Sequence, residues 1–99
     1  MAKLNWSAEA LAWLEDIHGH IAVDNPAAAI KVVDGIVQRA EQLQQFPDMG
    51  SRLRAEAEGE IRMLLYGHYR IAYLHAVDDD TLHILGVFHG ALDIDRYVP

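Results

Sequence analysis

Apolar residues recur at intervals of three and four along the first half of the chain and at intervals of two along the second. Leu11, Leu14, Ile17 and Ile21, widened by Trp13, form a helical stripe behind Ser7, a side chain suited to capping the start. That helix ends near Val23. Asp24-Asn25-Pro26 then acts as a stop and a restart, because Asn25 is a good N-cap and Pro26 suits the first helical position, where its missing N–H costs nothing. Ala29, Val32, Val33, Ile36, Val37, Ala40 and Leu43 line the second helix, and Phe46-Pro47-Asp48-Met49-Gly50 breaks it. So short a connection makes the two helices antiparallel. Ahead of them, Lys3-Leu4-Asn5-Trp6 reads as an edge strand.

In the second half, Glu60 to Tyr66, Tyr69 to Val77 and Thr81 to Phe88 read as three strands joined by Gly67-His68 and by the acidic turn Asp78-Asp79-Asp80. A two-residue first turn pairs Tyr66 with Tyr69 and Arg62 with Tyr73; a three-residue second turn places His75 opposite His83. The alternation predicts a core face of Ile61, Met63, Leu65, Ala72, Leu74, Ala76, Leu82, Ile84 and Phe88, on which the helices pack. The other face then holds Arg62, Leu64, Tyr66, Tyr69, Ile71, Tyr73, His75, His83, Leu85, Val87 and His89. It is half apolar and half polar aromatic, richer in large side chains than a water-facing sheet, so a partner is expected to cover it. Arg70 is the misfit, falling on the core side near a strand end. The expected fold is α+β: an N-terminal strand, an antiparallel helical hairpin on an antiparallel sheet of three to four strands, and a short C-terminal segment.

The 99 residues make a single domain, 1–99, whose one modest core must supply nearly all the stability. No apolar run is long enough to cross a bilayer and no signal peptide is visible at the start, so the cytoplasm is the expected compartment. Without cysteine, thiolate catalysis and cysteine metal sites are excluded. A net charge of −7, with 15 acidic against 8 basic residues, disfavours nucleic acid as a direct partner.

The order of elements, with particular pieces in place, resembles the RelE/ParE superfamily, the toxins of bacterial type II toxin-antitoxin modules, over nearly the whole chain. Its carriers are Trp6-Ser7-Ala8-Glu9-Ala10, Asp24-Asn25-Pro26-Ala27-Ala28-Ala29 and Phe46-Pro47-Asp48-Met49-Gly50 in the first half. Ile61-Arg62, Tyr69-Arg70-Ile71-Ala72-Tyr73, Ile84-Leu85-Gly86-Val87-Phe88-His89-Gly90-Ala91 and Asp93 follow in the second. Together they point to the ParE side, the plasmid stabilisation toxins. One position departs: the family often has arginine before that last Asp, where this chain has Leu92.

The resemblance implies a cognate ParD-like antitoxin, whose flexible tail folds as it binds, and one of two activities. ParE-like toxins block DNA gyrase by binding, without catalysis and without a cofactor; RelE-like toxins cut ribosome-bound mRNA. Weakly toxic or inactive members form a third class, and Leu92 leaves room for it. Cutting RNA through its 2′-hydroxyl needs a base, an acid and cations for the phosphate. The catalytic candidates for that reading are Arg62, Tyr73, His75 and His89, with Arg52, Arg54, Arg70 and His83 as further cationic or titratable groups. No lysine follows Lys31. That thin supply of cations favours gyrase binding over cleavage. As partner-binding residues we single out Arg52, Arg54, Arg62, Tyr66, Tyr73, His75, His83 and His89. Several have a plainer reading beside them: Arg52-Leu53-Arg54 as a solvated loop part-neutralised by Glu56, Glu58 and Glu60, and the tyrosines as core and edge packing; His18 and His20, two apart on a helix, read as helix surface. His75 and His83 sit at a spacing that suits zinc, but with no clear third ligand beyond His89 no metal is expected.

Overall fold

In the computed structural model, which describes residues 1–89, the elements follow one another as β1 (Lys3–Trp6), α1 (Ala8–Ala22), α2 (Pro26–Glu41), a single 3-10 turn (Gln42–Gln44), β2 (Ser51–Glu56), β3 (Gly59–Tyr66), β4 (Tyr69–Ala76) and β5 (Thr81–His89). Both helices start on the expected caps. Ser7 Oγ accepts from the Ala10 N–H at 3.0 Å and Asn25 Oδ1 from the Ala28 N–H at 3.1 Å, each satisfying a donor that a helix start would otherwise leave without a partner. Among the described residues no helix is long and apolar enough to cross a membrane. The expected C-terminal segment, with Leu92, lies outside the described residues.

Among the described residues the sheet has five strands in the order β1-β5-β4-β3-β2. Strand β1 runs parallel to β5; the remaining pairings are antiparallel. The α+β class, the leading strand and the helical hairpin stand as expected, while β2 joins the sheet where Arg52-Leu53-Arg54 reads as a solvated loop. Gly67-His68 is a two-residue turn, with Gly67 at φ 57, a left-handed value that glycine adopts at no steric cost. It pairs Tyr66 with Tyr69 and Arg62 with Tyr73, as predicted. The second connection is one residue longer than expected, with Ala76 pairing with Thr81. His75 therefore lies opposite Leu82, and His83 opposite Leu74, so the two histidines are on opposite faces and cannot share a ligand.

The largest correction concerns the faces of β3 and β4, which are exchanged relative to the sequence reading. The helices bury Leu64, Ile71, Tyr73, Leu82, Ile84 and Val87 beneath Ala10, Leu14, Ile17, Ile36, Ala40 and Leu43. Ile61, Ala72 and Phe88 sit on the other face, with Met63, Leu74, Leu85 and Leu53 packed against them. Both faces are apolar, so hydrophobicity alone did not choose between them. Strand β5 adds a change of parity: Tyr73 pairs with Ile84 but Ala72 with Gly86, leaving Leu85 as a bulge that puts Leu82 and Ile84 under the helices and Phe88 on the far side. Arg70, opposite Leu65, consequently leaves the core side, and the misfit disappears.

Helix α1 also closes the edge of β5 beyond Ile84, where β1 stops pairing. The Ser7 N–H donates to the Ile84 carbonyl at 3.1 Å and Ser7 Oγ to that of Leu85 at 3.3 Å. Trp13 reaches past this edge to meet Phe88 edge-on, ring centroids 4.8 Å apart.

Candidate functional site

The chain between the helical hairpin and β2 is short of its own hydrogen bonds. Pro47 has no N–H, and irregular backbone at Pro47–Gly50 cannot satisfy its carbonyls internally, so their partners must come from elsewhere. They come from two side chains that face each other across β3 and β4. The Tyr73 hydroxyl donates to the Pro47 carbonyl at 2.6 Å and accepts from the Gly50 N–H at 3.1 Å. Arg62 Nη1 donates to the carbonyls of Gly50 at 2.7 Å and Asp48 at 3.3 Å. Both polar groups of the Gly50 peptide backbone are thus held by side chains. Only glycine permits so close an approach: a Cβ there would come within 2.8 Å of the Met63 carbonyl oxygen and of the Tyr73 ring and hydroxyl.

Charge gathers around this clasp. Arg62 Nη2 and Nε lie 2.8 and 3.0 Å from Glu60 Oε2, and Nε lies 3.7 Å from Asp48 Oδ1. Arg52 Nε approaches Glu60 Oε1 at 3.5 Å. His75 Nε2 is 2.9 Å from Asp80 Oδ1, and its Nδ1 is 3.9 Å from Asp48 Oδ1. Burial pushes the Tyr73 hydroxyl above its ordinary value of 10.0; the Gly50 hydrogen bond and the Arg62 charge oppose the rise, and Asp48 and Glu60 add to it.

Arg62, Tyr73, His75 and Arg52 therefore come together, on the helix-bearing side of the sheet. The partner-facing placement expected for Arg62 and Tyr73 is not what forms: Tyr73 is fully buried, and the Arg62 fork is occupied by Glu60, Asp48 and two carbonyls. The other candidates lie elsewhere. Arg54 pairs with Glu56 at 2.8 Å. The Tyr66 hydroxyl rests against Gly35 of α2, in the space a Cβ would fill. His83 meets Asn5 at 3.3 Å on the face away from the helices. His89 sits at the end of β5 opposite Tyr69, whose ring it meets edge-on at 5.9 Å, with His68 stacked at 6.4 Å. Sequence reasoning missed Asp48, Gly50, Glu60 and Asp80. A Pro-Asp-Met-Gly loop, with carbonyls that need donors, facing a buried tyrosine is the signal that would have found the first two.

This cluster is better arranged to hold backbone than to hold phosphate. Its hydroxyl and its best-placed guanidinium are engaged, and three carboxylates, Asp48, Glu60 and Asp80, already lie against its cationic and imidazole groups. No group of three histidine, aspartate or glutamate side chains among the described residues is arranged to hold a metal ion. What reaches solvent is a charged rim, Asp48, Arg52 and Asp80, with side chains 78, 58 and 57% exposed.

A leading strand, a helical hairpin and a mostly antiparallel sheet clasped through the hairpin-to-sheet loop define the class, an α+β fold with a hairpin packed on one face of the sheet. The family model for the ParE toxin of type II toxin-antitoxin systems, parDE, matches residues 4–94, and the chain belongs to that family. Among solved structures it is similar to a chain of the chromosomal ParDE toxin-antitoxin system from P. aeruginosa, with 28% identity over 90% of this chain and 96% of that one and a TM-score of 0.72. It is similar in fold to a chain of the toxin-antitoxin complex RelBE2 from Mycobacterium tuberculosis, with 22% identity over 89% and 96% of the two chains and a TM-score of 0.57. No curated protein matches it.

Proposed function

We propose that the chain is a toxin neutralised by a ParD-like antitoxin in the cytoplasm, and that it acts by binding DNA gyrase rather than by cutting RNA. The observation that carries this reading is the engagement of Arg62 and Tyr73: the groups a nuclease would present to a phosphate and a leaving oxygen are used to hold the Pro47–Gly50 loop. The net charge of −7 adds to it, since docking on ribosomal RNA gains affinity from surplus cations. The resemblance to the ParDE system of P. aeruginosa supports the antitoxin as partner. An antitoxin tail that orders on binding loses conformational entropy and needs apolar surface to offset it. The side of the sheet away from the helices offers such surface, with Leu65 61% exposed and Met63 and Leu74 partly so.

The discriminating experiment incubates purified chain with ribosomes programmed by a defined mRNA and maps the 5′ ends produced. No new ends are expected. Site-specific cuts that disappear in Arg62→Ala would overturn the reading in favour of the nuclease.

A further inference from the structure

Among the described residues, strand β2 is the outermost strand of the sheet and pairs with β3 alone. Little in the strand itself holds it there. It has six residues, its ladder is interrupted between Arg52 and Arg54, Leu53 is its one apolar side chain packed against a core cluster among the described residues, and the Arg52–Glu60 pair that ties it to β3 is largely exposed, which makes it weak. Segments with so few buried apolar contacts open locally at low cost unless something else secures them. The ladder begins at Ser51, opposite Met63, directly after the residue whose N–H and carbonyl are held by Tyr73 and Arg62.

We propose that Tyr73 is a positioning residue for this edge: its hydroxyl, together with the Arg62 guanidinium, fixes the Pro47–Gly50 loop and thereby sets where β2 lies and how Arg52, Arg54 and Asp48 are presented to a partner. The partner-facing role of those three residues rests on the function proposed above; the mechanical role of the clasp does not. The Tyr73 ring fills the core beneath the helices, so the hydroxyl and the ring have separable duties. Removing the oxygen leaves the Pro47 carbonyl and the Gly50 N–H without their partner, in a place where water reaches poorly. The loop loosens, and β2 with it, while the hairpin and the central strands keep their packing.

Hydrogen exchange on the full chain tests this with three variants. In Tyr73→Phe, amides from Met49 to Glu56 should exchange at least tenfold faster, while those of α1, α2 and β4 stay within twofold of wild type. Arg62→Lys keeps the charge but loses the planar fork, and should loosen the same segment to a smaller degree. Tyr66→Phe removes a hydroxyl outside the clasp and should leave that segment unchanged. At matched soluble levels in bacteria, Tyr73→Phe should also need several-fold more expression than wild type to slow growth. Uniform acceleration throughout the fold in Tyr73→Phe would overturn the proposal, because the hydroxyl would then be a general stability group. Unchanged exchange from Met49 to Glu56 would overturn it as well. If that segment loosens selectively but the wild-type chain neither slows growth nor touches gyrase, the clasp stands and the toxin activity proposed above fails.

Discussion

Leu64 and Leu65 are adjacent, chemically identical and in the same strand, yet they point to opposite faces: Leu64 is 2% exposed beneath the helices and Leu65 is 61% exposed on the other side. Truncating each to alanine therefore measures the face assignment with strand propensity held constant. Leu64→Ala removes three carbons from a closed site, about 2.4 kcal/mol of transfer free energy at ~0.8 kcal/mol per carbon. A residual cavity of roughly 60 Å³ at about 24 cal/mol per Å³ adds ~1.4, for a total of about 4 kcal/mol. Leu65→Ala removes the same carbons from a site that buries only about two fifths of them and leaves no cavity, costing about 1 kcal/mol. Residual structure in the unfolded chain reduces both figures together, so their difference of about 3 kcal/mol is the sturdier number. With a urea slope of ~1 to 1.5 kcal/mol/M for a domain this size, the two midpoints should differ by about 2 to 3 M. Equal midpoints, or a larger loss for Leu65→Ala, would mean that the helices pack on the Met63 and Leu74 side and would refute the face assignment.

Two further outcomes follow from the clasp and its surroundings. The folded Tyr73 hydroxyl titrates above its ordinary 10.0, so the stability it supplies is complete below that pH and is lost as pH rises through the higher folded value. Wild type should lose stability above about pH 10 more steeply than Tyr73→Phe, as read by chemical denaturation across that range; parallel profiles would count against the buried hydroxyl. Among the glycines, Gly50→Ala drives a Cβ to 2.8 Å from the Met63 backbone oxygen, whereas one at Gly19, on α1, meets nothing within 4 Å. Gly50→Ala should cost about 1 to 3 kcal/mol by overpacking, and Gly19→Ala should gain about 0.5 to 1 kcal/mol by favouring the helix. Thermal melts of the pair check the opposite signs.

Much of the architecture is legible in local chemistry. Ser7 and Asn25-Pro26 mark the helix starts because capping and a fixed φ act within one turn of chain, and Gly67-His68 sets the β3–β4 register because a two-residue turn leaves no slack. Strand β2 escapes notice because Arg52-Leu53-Arg54-Ala55-Glu56 offers one large apolar side chain where a half-buried strand shows two or three. The faces of β3 and β4 were unreadable by alternation, since Ile61, Met63 and Leu65 form as good an apolar row as Leu64, Ile71 and Tyr73. The decision depends on the bulge at Leu85 and on a loop, distant in sequence, that satisfies the Tyr73 hydroxyl. For the same reason the residue types Arg62, Tyr73 and His75 were identifiable while their duties were not. Whether an arginine holds a ligand or a backbone carbonyl depends on the tertiary placement of Asp48 and Gly50.

The central claim, that this ParE-family toxin acts by engaging gyrase, is most directly tested by supercoiling of a relaxed plasmid by purified DNA gyrase in the presence of the purified chain. Supercoiling should fall as the chain is added and recover when a ParD-like antitoxin that binds it is supplied in equal amount. Full supercoiling at every concentration of a chain that nonetheless arrests growth would contradict it.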